Sequence, residues 1–258
     1  MSTQTVEPER AATRPDHPVV SREEWLKARR ELLDEEKKFT RQRDTLSAKR
    51  RELPWVKVDK DYVFEGPGGQ RSLADLFQGR SQLIVHHLMF TPGDKEACHG
   101  CSFQADHIGG PLMHLKHRDV MIVAVSRAPW TDIAPFKQRM GWEFDWVSSY
   151  GTDFNRDYRV TFTPEEVASG ETGYNYGTSP YLLEELPGVS VFFKDGAGDI
   201  YHTYSTYARG LDELLDANHY LDLTPKGRGE EDPQVWPRYH DRYESTEGKA
   251  CCGGGGSC

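Results

Sequence analysis

The sequence predicts an α/β fold with one domain and an extension at each end. Strand, helix, strand, helix and hairpin patterns follow one another between residues 82 and 205. The runs at 83–85 and 120–125 are continuously apolar, which is typical of buried parallel strands. Right-handed crossovers would place these two strands in parallel within one sheet. The chain has 258 residues, and at roughly 150 residues per domain this length favours one domain with extensions over two full domains.

The composition is that of an ordinary globular protein, with 36% hydrophobic and 28% charged residues. It excludes a collagen, a disulfide-dense mini-protein and a wholly disordered chain. The net charge of −9 argues against a general nucleic-acid binder, which needs a basic face. We find neither a secretory signal nor the roughly 20 apolar residues of a membrane span. We therefore expect a cytoplasmic protein without a membrane partner.

The first part of the chain divides into two predicted segments. Residues 1–20 are polar and contain prolines, which predicts a disordered lead. Residues 21–53 predict a helical arm that begins with a Ser21–Glu24 capping box and ends before Pro54. One apolar stripe recurs every seven residues along it: Trp25, Leu32, Phe39, Leu46 and Leu53. Because the second heptad seam is missing, the arm is either a docking helix, which makes a homodimer a candidate, or a solvated helix packed by one stripe.

The predicted domain spans residues 54–224 and begins with short elements. We expect a hairpin at 61–72 and a short capped helix at 72–77. The strand at 82–90 leads through a loop into a helical segment at 101–116, which Gly109-Gly110-Pro111 should break or kink. After the strand at 120–125, the pattern predicts a helix at 131–140 and a strand at 146–149.

The second half of the domain begins with a Tyr/Gly-rich insert at 150–185. Its length predicts short elements or a functional cover. The segments 189–193 and 200–205 predict a hairpin, and the last helix contains residues 211–215. The tyrosines and arginines of this half are either the wall of a substrate cleft or core packing with hydroxyls at the surface: Tyr174, Tyr176, Tyr201, Tyr204, Tyr207, Arg127 and Arg209.

Residues 225–258 predict a flexible C-terminal tail, because they are polar and end in a glycine-rich stretch. This tail holds three of the five cysteines: Cys251, Cys252 and Cys258. They could pass electrons to the other cysteine pair, bind a soft metal such as copper(I), or be exposed thiols without a role.

The other two cysteines form the motif Cys98-His99-Gly100-Cys101, in the loop after the first central strand. Their spacing lets the two sulfurs meet within one helical turn and alternate between dithiol and disulfide. A helix N-terminus at Cys98 would favour its thiolate, and His99 can add positive charge. We therefore predict Cys98 as the nucleophile, Cys101 as the resolving thiol and His99 as the residue that tunes the thiolate.

Other interpretations of this motif remain open. A metal-binding or metallochaperone module could use Cys98, Cys101 and a nearby histidine, although a structural zinc site needs four ligands. The cysteines could also be inert, in a protein that acts through its N-terminal helix. Histidines are frequent nearby: His86, His87, His99, His107, His114 and His117. The two on the strand, His86 and His87, fit hydrogen-bonded core histidines better than ligands.

The sequence resembles a bacterial thioredoxin-like family of predicted dithiol-disulfide oxidoreductases, which is otherwise a domain of unknown function. The resemblance covers about residues 21–224. It rests on Glu52-Leu-Pro-Trp-Val56, Tyr62-Val-Phe-Glu-Gly66, Leu76-Phe77 with Gly79-Arg-Ser-Gln-Leu83, Cys98 and Cys101 with Ser102-Phe103, Ala124-Val-Ser-Arg-Ala-Pro129, Met140-Gly-Trp142, Trp146-Val-Ser-Ser149, Phe162-Thr-Pro164, Tyr174-Asn-Tyr-Gly177 and the segment 202–211. It implies a thioredoxin-like fold and thiol–disulfide exchange with a thiol or disulfide substrate and an electron donor.

The sequence departs at two places from the patterns of thioredoxins and peroxiredoxins, which refines the expected activity. Thioredoxins place a cis-proline just before the strand that opens the final hairpin, where the nearest proline here is Pro187. A peroxiredoxin would have proline seven residues and threonine or serine three residues before its nucleophile, where this chain has Thr91 and Lys95. Disulfide exchange is therefore favoured over hydroperoxide reduction. No bound organic cofactor is expected, since no glycine-rich phosphate-binding motif is present.

Overall fold

The computed structural model describes residues 17–179, 181–229 and 236–243. Most of the predicted lead and all three tail cysteines therefore lie outside the described residues. The strands are β1 (Val56–Lys57), β2 (Val63–Gly66), β3 (Gly69–Ser72), β4 (Gln82–His87), β5 (Val120–Ser126), β6 (Asp145–Ser148), β7 (Gly188–Lys194) and β8 (Ile200–Tyr207). The α-helices are α1 (Arg22–Arg51), α2 (Leu73–Leu76), α3 (His99–Asp106), α4 (Leu112–His117), α5 (Trp130–Arg139), α6 (Phe154–Asp157), α7 (Pro164–Ser169) and α8 (Asp216–Asp222).

All eight described strands join one sheet in the order β1-β8-β7-β4-β5-β6-β2-β3. At its centre β4 and β5 are parallel, and β7 runs antiparallel to β4. Val85 of β4 faces Val123 on one side and Ser190 on the other. A β4-α-β5 unit followed by the β7–β8 hairpin is the thioredoxin-like α/β arrangement. The predicted parallel pairing of the two apolar strands is confirmed.

The sheet ends on two short and exposed strands. At one edge β1 has two residues, both exposed, and pairs only through Val56 and Lys57 with β8. At the other edge β3 is the four-residue return strand of the β2–β3 hairpin, which was expected at this place, and none of its residues is buried.

Apolar side chains pack into two large clusters beside the central strands. The first cluster includes Phe64, Leu83, Val123 and Phe192, all almost completely buried. The second cluster, which we call the site cluster, holds the buried Cys101 together with these residues: Leu88, Phe90, Ala97, Ala105, Ile108, Ala124, Ala128, Ile133, Phe136, Met140, Phe144 and Trp146. The motif cysteines are therefore built into the core of the domain.

The first helix, α1, is 30 residues long and follows the expected capping box, in which the Ser21 hydroxyl accepts from the backbone N–H of Glu24. None of its residues is buried. Its apolar stripe is exposed over the whole length, with Trp25 at 49%, Leu32 at 55% and Phe39 at 63%. Near its end, the Arg50 guanidinium lies 3.2 Å from the Glu213 carboxylate.

Some element boundaries differ from the sequence prediction. β4 ends at His87, although Leu88 and Phe90 beyond it stay buried. The predicted helical segment at 101–116 is divided into α3 and α4, with the break at the expected glycines and proline. The predicted helix around residues 211–215 is instead a 3-10 helix, Ala208–Leu214, and α8 begins only at Asp216. The reason is a tight turn directly after β8, where Ala208 has a φ of 47°.

The Tyr/Gly-rich insert contains short elements, as expected, namely α6, α7 and a 3-10 turn at Tyr174–Gly177. Tyr174 and Tyr207 are buried in a third apolar cluster with Val160, Phe162 and Leu186. The Tyr174 hydroxyl donates to the Pro187 carbonyl at 2.6 Å. These two tyrosines are therefore core residues with satisfied hydroxyls.

Candidate active site

The loop after β4 ends at Cys98, which lies at the start of α3. The Cys98 N–H donates to the Met89 carbonyl at 2.9 Å, which fixes the loop against the end of the strand. Cys98 is the N-cap of α3, and no side chain caps the helix there. The first N–H groups of an uncapped helix have no partner within it. They are therefore available to the Cys98 sulfur.

Hydrogen bonds to the Cys98 sulfur lower the pKa of this thiol well below its ordinary value. The largest contribution is a hydrogen bond from the Cys101 thiol, and burial acts in the opposite direction. The backbone N–H groups of Cys101 and Gly100 and the charge of His99 lower the pKa further. Cys98 is half-buried, so this residue combines a lowered thiol pKa with partial exposure.

Cys101 has the opposite character, because it is only 2% exposed within the site cluster. Its hydrogen bond to Cys98, its burial and the negative charge of Cys98 raise the pKa of the Cys101 thiol. The Met89 N–H lowers the Cys101 pKa but does not reverse the shift, and the carboxylate of Glu185 adds to the increase. The pair therefore contains one half-buried thiol with a lowered pKa and one buried thiol with a raised pKa.

A buried ion pair lies on the Cys101 side of the site. The Glu185 side chain is 8% exposed, and its carboxylate accepts from the Arg127 guanidinium and from the Thr161 hydroxyl. Burial raises the pKa of Glu185, while Arg127 and Thr161 act to lower it. Arg127 also borders a cleft of about 320 Å³ whose walls include Asn155 and Phe162.

Sequence reasoning named Arg127 only as one of several cleft candidates, and it missed Glu185. Two other acidic residues of this region have local partners. Glu166 belongs to the capping box of α7, and Asp153, which also borders the cleft, pairs with Lys60 at 2.8 Å. In the sequence, only its position just before β7 distinguishes Glu185 as a candidate, since its partner Thr161 is distant in the chain.

On the Cys98 side, the described segment 236–243 lies against the site. The Tyr239 hydroxyl donates to the carbonyl of Ala97, the residue before Cys98, at 2.5 Å. The Tyr239 ring packs on Phe136 with centroids 5.7 Å apart, and the Trp236 ring lies 5.1 Å from Phe103. This segment lies within the predicted flexible tail, and the structure differs there because the Tyr239 ring packs against the site cluster and the Trp236 ring packs on Phe103.

The nearby histidines do not join the cysteines in a metal centre. His86 Nε2 lies 3.0 Å from Gln104 Oε1, and His87 Nε2 lies 2.9 Å from Ser190 Oγ. Burial lowers the pKa of both rings, to about 4 for His86 and about 3 for His87. Both are therefore neutral, hydrogen-bonded core histidines. Within residues 17–179, 181–229 and 236–243, no group of three His, Cys, Asp or Glu side chains is placed to hold a metal ion.

Two further expectations concern the backbone and the membrane. Every peptide bond among the described residues is trans, including the one before Pro187. In the described part of the chain, no helix combines the length and the apolar character that crossing a membrane requires.

The chain is similar, at low sequence identity, to solved structures that include a peroxidoxin, a peroxiredoxin and a thioredoxin peroxidase. The peroxidoxin BcpB from Mycobacterium tuberculosis is 14% identical, with a TM-score of 0.38, and the match covers 64% of this chain and 94% of that one. Peroxiredoxin Q from Xanthomonas campestris is 18% identical, with a TM-score of 0.40 and coverage of 64% and 93%. Thioredoxin peroxidase I from Plasmodium yoelii is 17% identical, with a TM-score of 0.38 and coverage of 72% and 97%.

No curated protein matches the sequence. A family model does match it, over residues 14–243, and its description is "bacterial protein of unknown function (DUF899)". These residues include the whole sheet, both motif cysteines and the docked segment 236–243. The chain therefore belongs to this bacterial family of unknown function.

Proposed function

We propose that this protein is a thiol–disulfide oxidoreductase that works through the Cys98–Cys101 pair. The observation that carries the proposal is the asymmetry of the two thiols at the start of α3. Cys98 is half-buried with a lowered pKa, and Cys101 is fully buried one turn behind it with a raised pKa. Such a pair supplies one thiol for attack and a second for release.

In the proposed reaction, the Cys98 thiolate attacks one sulfur of a substrate disulfide, and the other sulfur leaves as a thiolate. Cys101 then loses its proton, attacks the Cys98 sulfur and releases the first substrate sulfur. The substrate gains two electrons, and the pair becomes a disulfide. A reducing compartment such as the cytoplasm would return the pair to the dithiol form.

The other candidate activities have less support. The metal-binding alternative would use Cys98, Cys101 and a nearby histidine, and three of the nearby histidines are engaged in other hydrogen bonds: His86, His87 and His107. A thiol peroxidase would need the peroxiredoxin proline and threonine before its nucleophile, where Thr91 and Lys95 stand.

Single turnover with a disulfide-bonded peptide tests the proposal. The unaltered protein should reduce the peptide and form the Cys98–Cys101 disulfide. Cys98→Ser should abolish the reaction, while Cys101→Ser should stop it at a mixed disulfide between Cys98 and the peptide, visible by mass spectrometry. A stoichiometric metal in protein purified under reducing conditions, lost on Cys98→Ser, would contradict the proposal. So would a Cys98→Ser variant with full turnover.

We also propose that α1 pairs with α1 of a second copy. A helix without buried residues gains little stability from its own domain, whereas most of the stability of helices in proteins comes from packing of an apolar face. The first turn contains Glu23 and Glu24, and the last turn contains Lys49, Arg50 and Arg51. An antiparallel pair would place the acidic start of each helix beside the basic end of the other, with the apolar stripes in contact.

A further inference from the structure

The surface and the backbone groups beside Cys98 are occupied by other parts of the same chain. We propose that the substrates of the Cys98–Cys101 pair are small disulfides, such as those of short peptides, and that segment 236–243 excludes the disulfides of folded proteins. This inference rests on the proposed function, because it names the substrate class of the same pair.

Thiol–disulfide exchange requires a close approach to the nucleophile. In a mixed disulfide the two sulfurs are about 2.05 Å apart, and the two Cα atoms are about 4.4–6.8 Å apart. The backbone of a protein substrate must therefore lie directly beside Cys98. A host protein that binds an extended chain in this way usually offers it free backbone N–H and C=O groups.

The backbone groups that lead into the motif are engaged within the protein. The Cys98 N–H donates to the Met89 carbonyl at 2.9 Å. The carbonyl of Ala97, in the peptide unit that joins it to Cys98, accepts from the Tyr239 hydroxyl at 2.5 Å. A substrate chain that paired with the Ala97 carbonyl would have to displace Tyr239 or share its acceptor.

The backbone just before β7 is engaged as well. β7 runs antiparallel to β4, the strand whose end leads to the motif. The Leu186 N–H donates to the Val160 carbonyl at 2.9 Å, and the Pro187 carbonyl accepts from the Tyr174 hydroxyl at 2.6 Å. Since proline has no N–H, residues 186–187 have no N–H group left for a substrate chain.

Segment 236–243 occupies the surface on the Cys98 side. The guanidinium groups of Arg139 and Arg242 each lie 5.0 Å from the centre of the Tyr239 ring. Burial raises the pKa of Tyr239 to about 12, and the negative charges of Glu96 and Cys98 add to this increase. Tyr239 therefore lies near enough to Cys98 to respond to its charge.

Ion pairs hold the same segment on two elements of the domain. Asp241 binds Arg139 of α5 at 2.8 Å, and Arg242 binds Glu96 of the Cys98 loop at 2.5 Å. Arg139 also pairs with Glu96, so these four side chains form one network. Single exposed ion pairs contribute little, whereas a network around one aromatic anchor fixes its position.

The docking of this segment is nevertheless incomplete. The Trp236 ring packs on Phe103 with centroids 5.1 Å apart. Its indole N–H, however, is buried and has no hydrogen-bond partner among the described residues. A buried donor without a partner costs free energy. The segment can therefore open at a moderate cost, which a protein substrate has to meet and a small one does not.

The open space on the Cys101 side has the size of a small molecule. The Ala128 N–H donates to the Phe90 carbonyl at 2.7 Å, which places Arg127 beside Met89 of the motif loop. The cleft that Arg127 borders has a volume of about 320 Å³, and small-molecule sites begin at about 300 Å³. Its other polar wall residues include Thr152, Asn155, Arg156, Thr161 and Thr163. This cleft has room for one polar arm of a small disulfide.

The test uses the full chain with Cys101→Ser, which traps the mixed disulfide on Cys98. Two substrates contain the same disulfide-closed loop, once on the surface of a small folded protein and once as a short free peptide. Mass spectrometry of the trapped species gives the rate of attack on each substrate. The peptide should react at least about tenfold faster, because attack on the folded protein needs the less populated open form of the segment.

Variants of the anchor test the role of the segment. Tyr239→Ala with Asp241→Ala should raise the rate for the folded protein relative to the peptide at least about fivefold, since lost contacts increase the open fraction. Tyr239→Phe, which loses only the hydroxyl, should raise this ratio less. Near-UV circular dichroism checks the folding of each variant.

Tyr220→Ala with Asp199→Ala is the matched control. Tyr220 is 72% exposed on α8, and Asp199 forms an exposed ion pair with Lys57 at 2.7 Å. Neither residue contacts segment 236–243 through a hydrogen bond, an ion pair or a ring contact among the described residues. The double substitution should therefore leave the ratio of the two rates unchanged.

Amide hydrogen exchange adds a structural measurement. In the mixed disulfide with the folded protein, residues 236–243 should exchange faster than in the free protein, because the segment is lifted. In the mixed disulfide with the short peptide, their exchange should not change. A segment that stays protected beneath the folded protein would contradict the proposed exclusion.

The outcomes distinguish the failure of this inference from that of the proposed function. If Cys98 attacks the folded protein as fast as the peptide, or if the anchor variants leave the ratio unchanged, the exclusion is wrong and the exchange activity stands. If Cys98 forms no mixed disulfide with either substrate, both are wrong.

Discussion

At the scale of single residues, the site contains two cysteines whose thiol pKa values are shifted in opposite directions. The Cys-x-x-Cys spacing predicted Cys98 as the nucleophile, and the structure places it at the start of α3. Glu185 and Tyr239 could not be assigned from the sequence, since their roles arise from tertiary contacts. The hydrogen bond of Tyr239 to Ala97 joins positions 142 residues apart.

The pH dependence of Cys98 alkylation should report its lowered pKa. Because the pKa is lowered to about 6, the thiolate predominates above pH 6 and alkylation should be half-maximal there. Cys101→Ala removes the main hydrogen bond, and each unit of upward shift reduces the thiolate at acidic pH about tenfold. Cys101→Ser keeps a hydroxyl donor and should restore part of the effect. The measurement is mass spectrometry of the Cys98 peptide, and a midpoint near the ordinary value of about 8.5 would contradict this expectation.

Glu185→Gln should destabilise the fold because it weakens the contact with Arg127. The half-buried Arg127 would keep only a neutral amide acceptor in place of the carboxylate, and losing the charge-assisted hydrogen bond should cost about 1 kcal/mol of unfolding free energy. Urea unfolding measures the change. Glu184→Gln, at the exposed neighbouring position, should stay within about 0.5 kcal/mol of the unaltered protein. Equal effects of the two substitutions would show that the ion pair contributes nothing to stability.

At the scale of elements, periodicity located the helices and strands better than their ends. Continuous β-branched runs predicted β4 and β5, because buried parallel strands need apolar side chains on both faces. The shift from the expected helix at 211–215 to a 3-10 turn followed by α8 could not be foreseen, since it depends on the unusual backbone at Ala208. Local sequence therefore predicts where most elements lie, whereas tertiary packing sets their ends and, at residues 208–214, the type of helix.

The stripe on α1 should control self-association. Replacing Leu32 and Phe39 by serine removes two exposed apolar residues of the stripe and should shift a dimer towards monomer. Light scattering over a range of protein concentrations measures this shift. Gln42→Ser, an exposed substitution at the other heptad position, is the matched control. A monomer at every concentration before any substitution would refute the pairing of α1 with a second copy.

At the scale of the whole molecule, the sequence predicted the α/β architecture but not how the tail meets it. The docked segment uses aromatic and charged residues scattered through a polar stretch, so composition alone indicated flexibility. Its binding surface exists only after α3, α5 and the Cys98 loop have come together. Local sequence patterns were enough to predict the fold. The position of segment 236–243 beside the site depends on contacts that form only when the chain folds.

Phe136 should contribute both to the stability of the whole protein and to the docking of segment 236–243. Its ring packs between Trp146 of the sheet and Tyr239 of the docked segment, with centroids 6.2 and 5.7 Å away. Phe136→Ala should cost about 3–5 kcal/mol of unfolding free energy, measured in urea. It should also speed proteolysis within residues 236–243, which Tyr220→Ala should not. Unchanged proteolysis in the destabilised variant would show that the segment does not depend on Phe136.

The short strands at both edges of the sheet restrict how copies of this protein can meet. β1 offers two residues, and β3 offers four with none buried, so neither edge presents a long apolar row of free backbone groups. Long, flat edges are the usual starting points for strand-by-strand aggregation. Contacts between copies must then be made by side chains, and they can form and dissociate without extending the β-sheet. We therefore expect the folded protein to resist fibril formation even at high concentration.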